Sequence, residues 1–217
     1  MIAKIGRPRD LTNATQRKTQ ILLVASKAFA KFGYDKTDVN VVSDEIGIGK
    51  GTVYYYFKNK ETLFLACVDQ LMQQLLETIN KVVLTKNDHL EIIEKAIFTY
   101  LEFFDLHPEF VELLIQERAI FKNREKPTYY KYREKNGEEW KVRYLTLMNE
   151  NRIRKMSVDR IIDIIGDIVY GMVFINYFSG QNKTMRGQAE EVLDIIFNGI
   201  LSDSEKSRRK KERLRNV

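Results

Sequence analysis

A short stretch of the sequence that contains Lys50, Gly51 and Tyr55 could bind a polyanion. If the stretch is helical, its side chains project about 100° apart. Val53 and Phe57 then lie on one side. Gly51 and Tyr55 lie on the opposite side, and Lys50 stands at the helix start, where its ammonium adds to the positive helix end and suits a phosphate. A helical glycine costs about 1 kcal/mol relative to alanine, and close approach of another backbone would explain Gly51.

The elements before this stretch complete the layout of a helix-turn-helix. Thr37 is placed to cap a short helix that Gly47 ends. The inward residues of that helix would be Val39, Val42 and Ile46. After the turn at residues 47–49, the next helix runs from about Lys50 to Phe57 and would lie in the major groove of DNA.

The pattern thus predicts which side of this helix meets DNA. Gly51 and Tyr55 should face the groove, with Thr52 and Tyr54 beside them. The alternative is that the aromatic run at positions 54–57 is only core, and we expect that for Phe57 and largely for Tyr56.

The same segment resembles the signature of the TetR family over about residues 16–64. The resemblance is carried by the run from Ile46 to Phe64, by residues 28–34 and by Thr37. It implies phosphate contacts from Thr37, Lys50, Tyr54, Tyr55 and Lys60, and positions at or near base edges for Gly51, Thr52 and Tyr55. Gly49 stands where many members have serine, so one cap hydroxyl is missing, at a cost of only a few tenths of a kcal/mol.

Apolar residues at helical spacing fill the rest of the chain and predict an all-α fold of about nine helices. The first helix should end at Gly33, and a long linker helix should open at Lys60. Further helices are predicted at about 88–105, 108–121, 128–149, 157–179 and 186–201. The resulting division is a flexible basic arm at 1–14, a helix-turn-helix domain at 15–60, an effector-binding and dimerisation domain at 61–202, and a disordered basic tail at 203–217.

The distribution of charge agrees with DNA binding by the N-terminal part. The chain of 217 residues has a net charge of +6. Residues 1–60 carry eleven basic and five acidic side chains, whereas residues 61–202 carry eighteen and twenty-two, so the excess positive charge lies at the two ends. The basic segment at residues 6–9 resembles an arm that enters a minor groove, although such a terminus is more often only solvated.

The composition argues against several other classes of protein. Cys67 is the only cysteine and lies in an apolar pattern, so we expect a buried residue, with no disulfide. His89 and His107 are too few and too far apart for a metal site. We expect no cofactor, no membrane partner, no enzymatic site and a cytoplasmic protein, because no catalytic cluster or secretory signal is recognisable.

Two helices of the body are apolar over most of their circumference and predict a homodimer. Between 157 and 179 only a stripe of carboxylates interrupts the apolar surface, and the last helix has the same character. The predicted interface is a four-helix bundle across a twofold axis. Its residues would be Ile161, Ile165, Ile168, Met172, Leu193, Ile196, Phe197 and Ile200. The alternative is that both helices are buried in a monomer core.

The resemblance to the TetR family implies a small-molecule effector site in the body, without naming the ligand. Candidate lining residues are aromatic side chains at helical spacing, although such residues are more often plain core. They are Tyr100, Phe103, Phe104, Phe110, Trp140, Tyr144, Phe174 and Tyr177, together with the aliphatic Leu106. The sequence therefore favours a repressor that binds palindromic double-stranded operator DNA and is released by an apolar effector. The alternatives are an architectural DNA-binding protein without an inducer and, last, an enzyme. A cavity in the body favours the regulator, and a solid core favours the architectural protein.

Overall fold

The computed structural model describes residues 11–180 and 184–199, and these residues contain nine α-helices and no strand. The helices are α1 (Leu11–Lys36), α2 (Val39–Ile46), α3 (Lys50–Tyr56), α4 (Lys60–Val83), α5 (His89–Leu106), α6 (Pro108–Ile120), α7 (Thr128–Asn149), α8 (Val158–Ser179) and α9 (Met185–Asn198). The predicted all-α class is confirmed. Residues 11–14 belong to α1, so the arm predicted at 1–14 is wrong for them; its residues 1–10 and the predicted tail lie outside the described part.

The first three helices pack around one apolar centre. Phe29 of α1, Val42 of α2 and Val53 of α3 are fully buried there. The α-helical backbone of α1 breaks at Gly33, whose φ of 80° and ψ of 160° suit glycine. α2 ends at Gly47 in the left-handed conformation, as expected.

The start of α2 differs from the prediction. Asp38, not Thr37, is the N-cap, and its carboxylate accepts a hydrogen bond from the backbone N–H of Asn40. Thr37 is buried instead, and its hydroxyl donates to the carbonyl oxygens of Gly33, at 2.7 Å, and Ala28, at 3.2 Å. Both residue types suit a cap, so packing against α1 decides between them.

α4 joins the helix-turn-helix to the body. It opens at Lys60, as predicted, with a capping box between Asn59 and Thr62, and its buried stripe runs to Val83. Cys67 lies on this stripe, fully buried, with its sulfur 3.7 Å from the carbonyl oxygen of Leu22. Burial raises the pKa of the thiol to about 12. The expected burial of Cys67 is confirmed.

The body is built from the remaining helices around α5. α5 packs against both α4 and α9, and α7 packs against α8. Pro108 begins α6, where its missing N–H costs nothing. The buried apolar residues form one continuous cluster from Ile21 in α1 to Leu193 in α9, so the head and the body share a core.

α8 is long and apolar enough to cross a membrane by length and composition. The polar stripe of α8 nevertheless forms ion pairs with α7. Asp163 and Asp167 both bind Arg133, and Asp159 lies 3.0 Å from the ammonium of Lys141. These ion pairs hold one side of α8 against a neighbouring helix.

Candidate DNA-binding face and ligand cavity

The exposed side of α3 is the side predicted to meet DNA. Tyr55 is 68% exposed and Tyr54 38%, whereas Val53 and Phe57 are buried against the head core. Gly51 is exposed, and nothing lies within 4 Å of the position that a Cβ would take. The space in front of Gly51 is therefore open to another molecule.

The ammonium of Lys50 at the start of α3 is free to exchange its present partner, Asp38, for another anion. The ammonium of Lys50 lies 3.7 Å from Oδ1 of Asp38, and both side chains are well exposed. The backbone N–H of Asn40 lowers the pKa of Asp38, and Lys50 lowers it further, so this carboxylate is charged at neutral pH. Exposed ion pairs contribute little to stability, and a phosphate can replace the carboxylate as the partner of Lys50.

Two of the predicted DNA contacts are engaged with α1. The Thr37 side chain is buried and directed at α1 carbonyls, so it does not belong to the exposed face. Lys60 is half-buried, and its ammonium donates to the carbonyl oxygen of Asp35 at 3.0 Å and lies 4.9 Å from the centre of the Tyr34 ring. Lys60 thereby fastens the start of α4 to the end of α1. The remaining predicted residue, Thr52, is half-buried beside the exposed tyrosines.

A groove beside α3 adds residues that the sequence analysis missed. Arg17 and Gln20 of α1 line it together with Tyr55 and Tyr56. Arg17 Nη1 donates to Gln20 Oε1 at 3.0 Å, which fixes the guanidinium at this edge. The signal was present, since Arg17 is basic and lies four residues before the first buried apolar position of α1, Ile21.

A cavity of about 180 Å³ lies in the body between α4, α5, α7 and α8. α4 and α5 supply aliphatic side chains, and α7 supplies most of the aromatic ones. The lining residues are Met72, Leu75, Leu76, Ile79, Ile93, Ala96, Ile97, Tyr100, Tyr129, Tyr132, Arg133, Asn136, Gly137, Trp140, Tyr144, Ile162, Ile165, Gly166 and Val169.

Three of the predicted pocket residues line this cavity, and the others do not. Tyr100, Trp140 and Tyr144 are among the lining side chains. Phe103, Phe104, Phe110, Leu106, Phe174 and Tyr177 are not. The first three of these pack in the α5–α6 corner, where Phe103 and Phe110 meet the ring of His107. Leu106 is exposed, Phe174 packs on Tyr170, and the Tyr177 hydroxyl donates to Glu112.

Five of the lining residues lie on one stripe of α7, and only two of them, Trp140 and Tyr144, were predicted from the sequence. Tyr129, Arg133, Asn136, Trp140 and Tyr144 follow one another at spacings of three or four residues, which is the spacing of a single helix face. α7 is rich in charged residues, so a search for apolar periodicity passes over this stripe.

The cavity holds one unsatisfied polar group. The Tyr100 hydroxyl is buried and makes no hydrogen bond of acceptable geometry to the described residues. Burial raises the pKa of Tyr100 well above its ordinary value, and the neighbouring Tyr129 hydroxyl raises it further. The phenol is therefore protonated at neutral pH and offers an O–H donor.

The guanidinium of Arg133 is bound to two carboxylates of α8 at the edge of the cavity. Nη1 donates to Asp167 Oδ1 at 2.8 Å, and Nη2 donates to the carboxylate and the carbonyl oxygen of Asp163, each at 3.1 Å. Gly166 makes room for it, because a Cβ there would stand 2.9 Å from Arg133 Cζ.

α8 and α9 expose an apolar surface, but its composition differs from the predicted interface. Ile161 and Leu193 are buried within the chain, and Ile165 lines the cavity, so these three do not face outward. Ile168, Met172 and Ile196 are half-buried, Phe197 is exposed, and Ile200 lies outside the described part. The most exposed apolar residues of these two helices, named here the outer stripe, are Ile164, Ile175, Phe178 and Ile195.

The head and the body meet where α1 packs against α6 and α4. The Gln116 side chain of α6 is buried, and its Nε2 donates to the carbonyl oxygen of Phe29 in α1 at 2.9 Å. An aromatic cluster surrounds this contact, with Phe64 against both Phe29 and Phe121. α6 also contacts α8, one of the helices that line the cavity.

Comparison with known proteins agrees with the geometry of the head. Residues 21–67 match the family described as "Bacterial regulatory proteins, tetR family". This match covers most of the helix-turn-helix head and the start of α4. The sequence is 34% identical to the HTH-type transcriptional regulator YhgD of Bacillus subtilis over 103 residues, which are 48% of this chain. It is 27% identical to the HTH-type transcriptional regulator YerO of the same organism over 184 residues, which are 83% of this chain. The chain spans 53% and 62% of the lengths of these two relatives.

The fold of the whole described chain is also found in solved structures. The transcriptional regulator FadR from Bacillus subtilis, solved in complex with stearoyl-CoA, matches with a TM-score of 0.69 and 19% identity, over 84% of this chain and 99% of that one. At this identity the likeness shows the fold alone.

Proposed function

We propose that this chain is a one-component transcription regulator, acting as a repressor, that binds palindromic operator DNA as a homodimer and releases it when a small apolar effector enters the body. The observation that carries the proposal is the presence, in one chain, of an exposed recognition face on α3 and a lined cavity in the body. Effector and DNA then compete through a coupling free energy between two sites.

The path of this coupling follows the contacts at the head–body junction. α4 lines the cavity with Met72 and Leu75 and begins at Lys60, which is bound to the end of α1. α6 touches α8 on one side and, through Gln116, α1 on the other. A ligand that separates α4 from α8 would therefore move the head by both routes.

The movement matters because two heads must dock at once. Recognition helices of a dimer have to match half-sites about 34–36 Å apart, one turn of DNA, or a multiple of that spacing. The outer stripe of α8 and α9 is the proposed dimer surface, because it leaves large apolar side chains in water. A shift of a few Å between the heads would abolish simultaneous docking.

The cavity favours a regulator over the architectural DNA-binding protein, whose body has no need of one. The stearoyl-CoA in the FadR complex is a precedent in this fold for a bound ligand with a large apolar part. The lining of the present cavity, mostly aliphatic and aromatic, agrees with an apolar effector for this chain.

The test is a selection of duplexes from a random library with the purified protein, followed by titration of the selected duplex. Enrichment of a palindrome bound by two chains supports the proposal, and failure to enrich any sequence contradicts it. Effectors are then sought by quenching of Trp140, the only tryptophan of the chain, which lines the cavity. A compound that quenches Trp140 and weakens DNA binding completes the evidence.

A further inference from the structure

We infer that the effector is a compact, uncharged molecule of one or two rings that carries a hydrogen-bond-accepting oxygen. This inference rests on the proposed function, because it names the class of ligand for the same cavity. Three features of the lining lead to it: the volume and walls, the absence of a free charge among the described lining residues, and the Tyr100 hydroxyl.

The volume and the walls favour a small ring system. An apolar cavity of about 150 Å³ holds one benzene molecule, and this one measures about 180 Å³. The walls include the rings of Tyr100, Tyr129, Trp140 and Tyr144, and aromatic rings gain from offset or edge-to-face contact with another ring. A long acyl chain with a nucleotide head exceeds this volume, so most of it would have to lie outside the cavity.

The charges around the cavity disfavour an ion. Among the described residues that line the cavity, Arg133 is the only one with a full charge at neutral pH. Its guanidinium is already bound to Asp163 and Asp167. An anion would have to displace those carboxylates, and a cation would lie beside the guanidinium with no lining carboxylate as its partner. Burying an unpaired charge is costly.

The tyrosine pair at the cavity calls for a ligand that has a hydrogen-bond acceptor. Tyr100 and Tyr129 are neighbours. The Tyr100 O–H is buried and has no acceptor of acceptable geometry among the described residues. A buried donor without an acceptor destabilises the site, so a ligand oxygen near Tyr100 would bind there with a gain in affinity.

The experiment compares four probes that share the naphthalene ring, by calorimetry at pH 7 with the full chain. They are 2-naphthol, naphthalene, 2-naphthoate and (2-naphthylmethyl)trimethylammonium. We expect 2-naphthol to bind roughly tenfold more tightly than naphthalene because of one added hydrogen bond, and both ions to bind on the order of a hundredfold more weakly than 2-naphthol.

Tyr100→Phe removes only the hydroxyl and should make the affinities for 2-naphthol and naphthalene equal. The matched control is Tyr130→Phe, at a residue that packs on Tyr129 outside the cavity lining, which should keep the tenfold preference. A preference that survives in Tyr100→Phe overturns the role of that hydroxyl.

Failure of this inference is separable from failure of the proposed function. If either ion binds as tightly as 2-naphthol, or if neither neutral probe binds, the ligand class is wrong, whereas the regulator stands as long as some compound releases DNA. If 2-naphthol binds as expected but no cavity ligand changes DNA affinity, the ligand class stands and the regulator is wrong.

Discussion

Lys50 occupies the first position of α3, and its ammonium has an exposed aspartate as its present partner. On binding DNA we expect this ammonium to neutralise one phosphate and release counterions. Lys50→Ala should weaken binding to all duplexes by a similar factor and reduce the slope of log affinity against log salt by about 1. Fluorescence anisotropy at several salt concentrations measures both effects.

The matched control for this prediction is Lys81→Ala. Lys81 is an exposed lysine in the last turn of α4, about 30 Å along that helix from Lys60 at 1.5 Å per residue. Its removal should leave the slope unchanged. Equal slopes for Lys50→Ala and the unaltered chain would show that α3 does not approach a phosphate.

Glu117 is a buried charge that organises the turn between α6 and α7. Its carboxylate binds the guanidinium of Arg124 and accepts hydrogen bonds from the N–H and hydroxyl of Thr128, at 3.0 and 2.6 Å. Glu117→Ala leaves these donors without a partner, so the free energy of unfolding should fall by about 3 kcal/mol. Urea denaturation measures the change.

The exposed pair of Lys126 and Glu134 provides the comparison for Glu117. Glu134→Ala should lower the free energy of unfolding by less than about 1 kcal/mol, because water replaces the lost partner. If the two glutamate variants are equally stable, burial of Glu117 does not have the assigned effect.

At the level of elements, α7 and α8 meet where Arg133 lies across Gly166. In a helix, alanine is favoured over glycine by about 1 kcal/mol. Gly166→Ala should raise the free energy of unfolding by less than this, or lower it, because the new Cβ displaces the Arg133 guanidinium from two carboxylates. Gly137→Ala, in α7 with nothing within 4 Å of its Cβ position, should show the full gain. Denaturation of both variants measures the difference, and equal gains would contradict the account of Gly166.

The head was predictable from sequence because its geometry is local. The sides of α3 follow from the 3.6-residue period, and the break in α1 and the end of α2 follow from Gly33 and Gly47. The N-cap of α2 was not predictable in this way, because Thr37 and Asp38 are adjacent and both residue types are suited to an N-cap. Only the packing of Thr37 under α1 distinguishes them.

The cavity was less predictable because it depends on packing between distant helices. Three of its aromatic residues were identified by type, but Phe103 and Phe110 have the same type and spacing and pack elsewhere. Nothing in a single helix states which of its faces a neighbour leaves uncovered. The useful signal was the mixed stripe on α7, whose polar members hide it from a search for apolar residues.

For the whole molecule, the outer stripe leads to a prediction about assembly. Phe178 is 70% exposed and Ile175 63%, so burial against a second copy would stabilise a dimer. Phe178→Glu should shift the molar mass measured by light scattering from dimer toward monomer, and should weaken DNA binding with it. Leu84→Glu, at another exposed apolar residue, should leave the mass unchanged. A dimer that persists in Phe178→Glu would place the interface on another surface.

The buried sulfur of Cys67 makes the protein well suited to spectroscopic distance measurement. With a thiol pKa of about 12 and no exposure, the native cysteine should not react with a nitroxide reagent at neutral pH. A cysteine introduced at the exposed Lys27 of α1 would then carry the only spin label of each subunit. In a dimer, a single pulsed electron resonance distance would report the spacing of the two heads, with and without a cavity ligand.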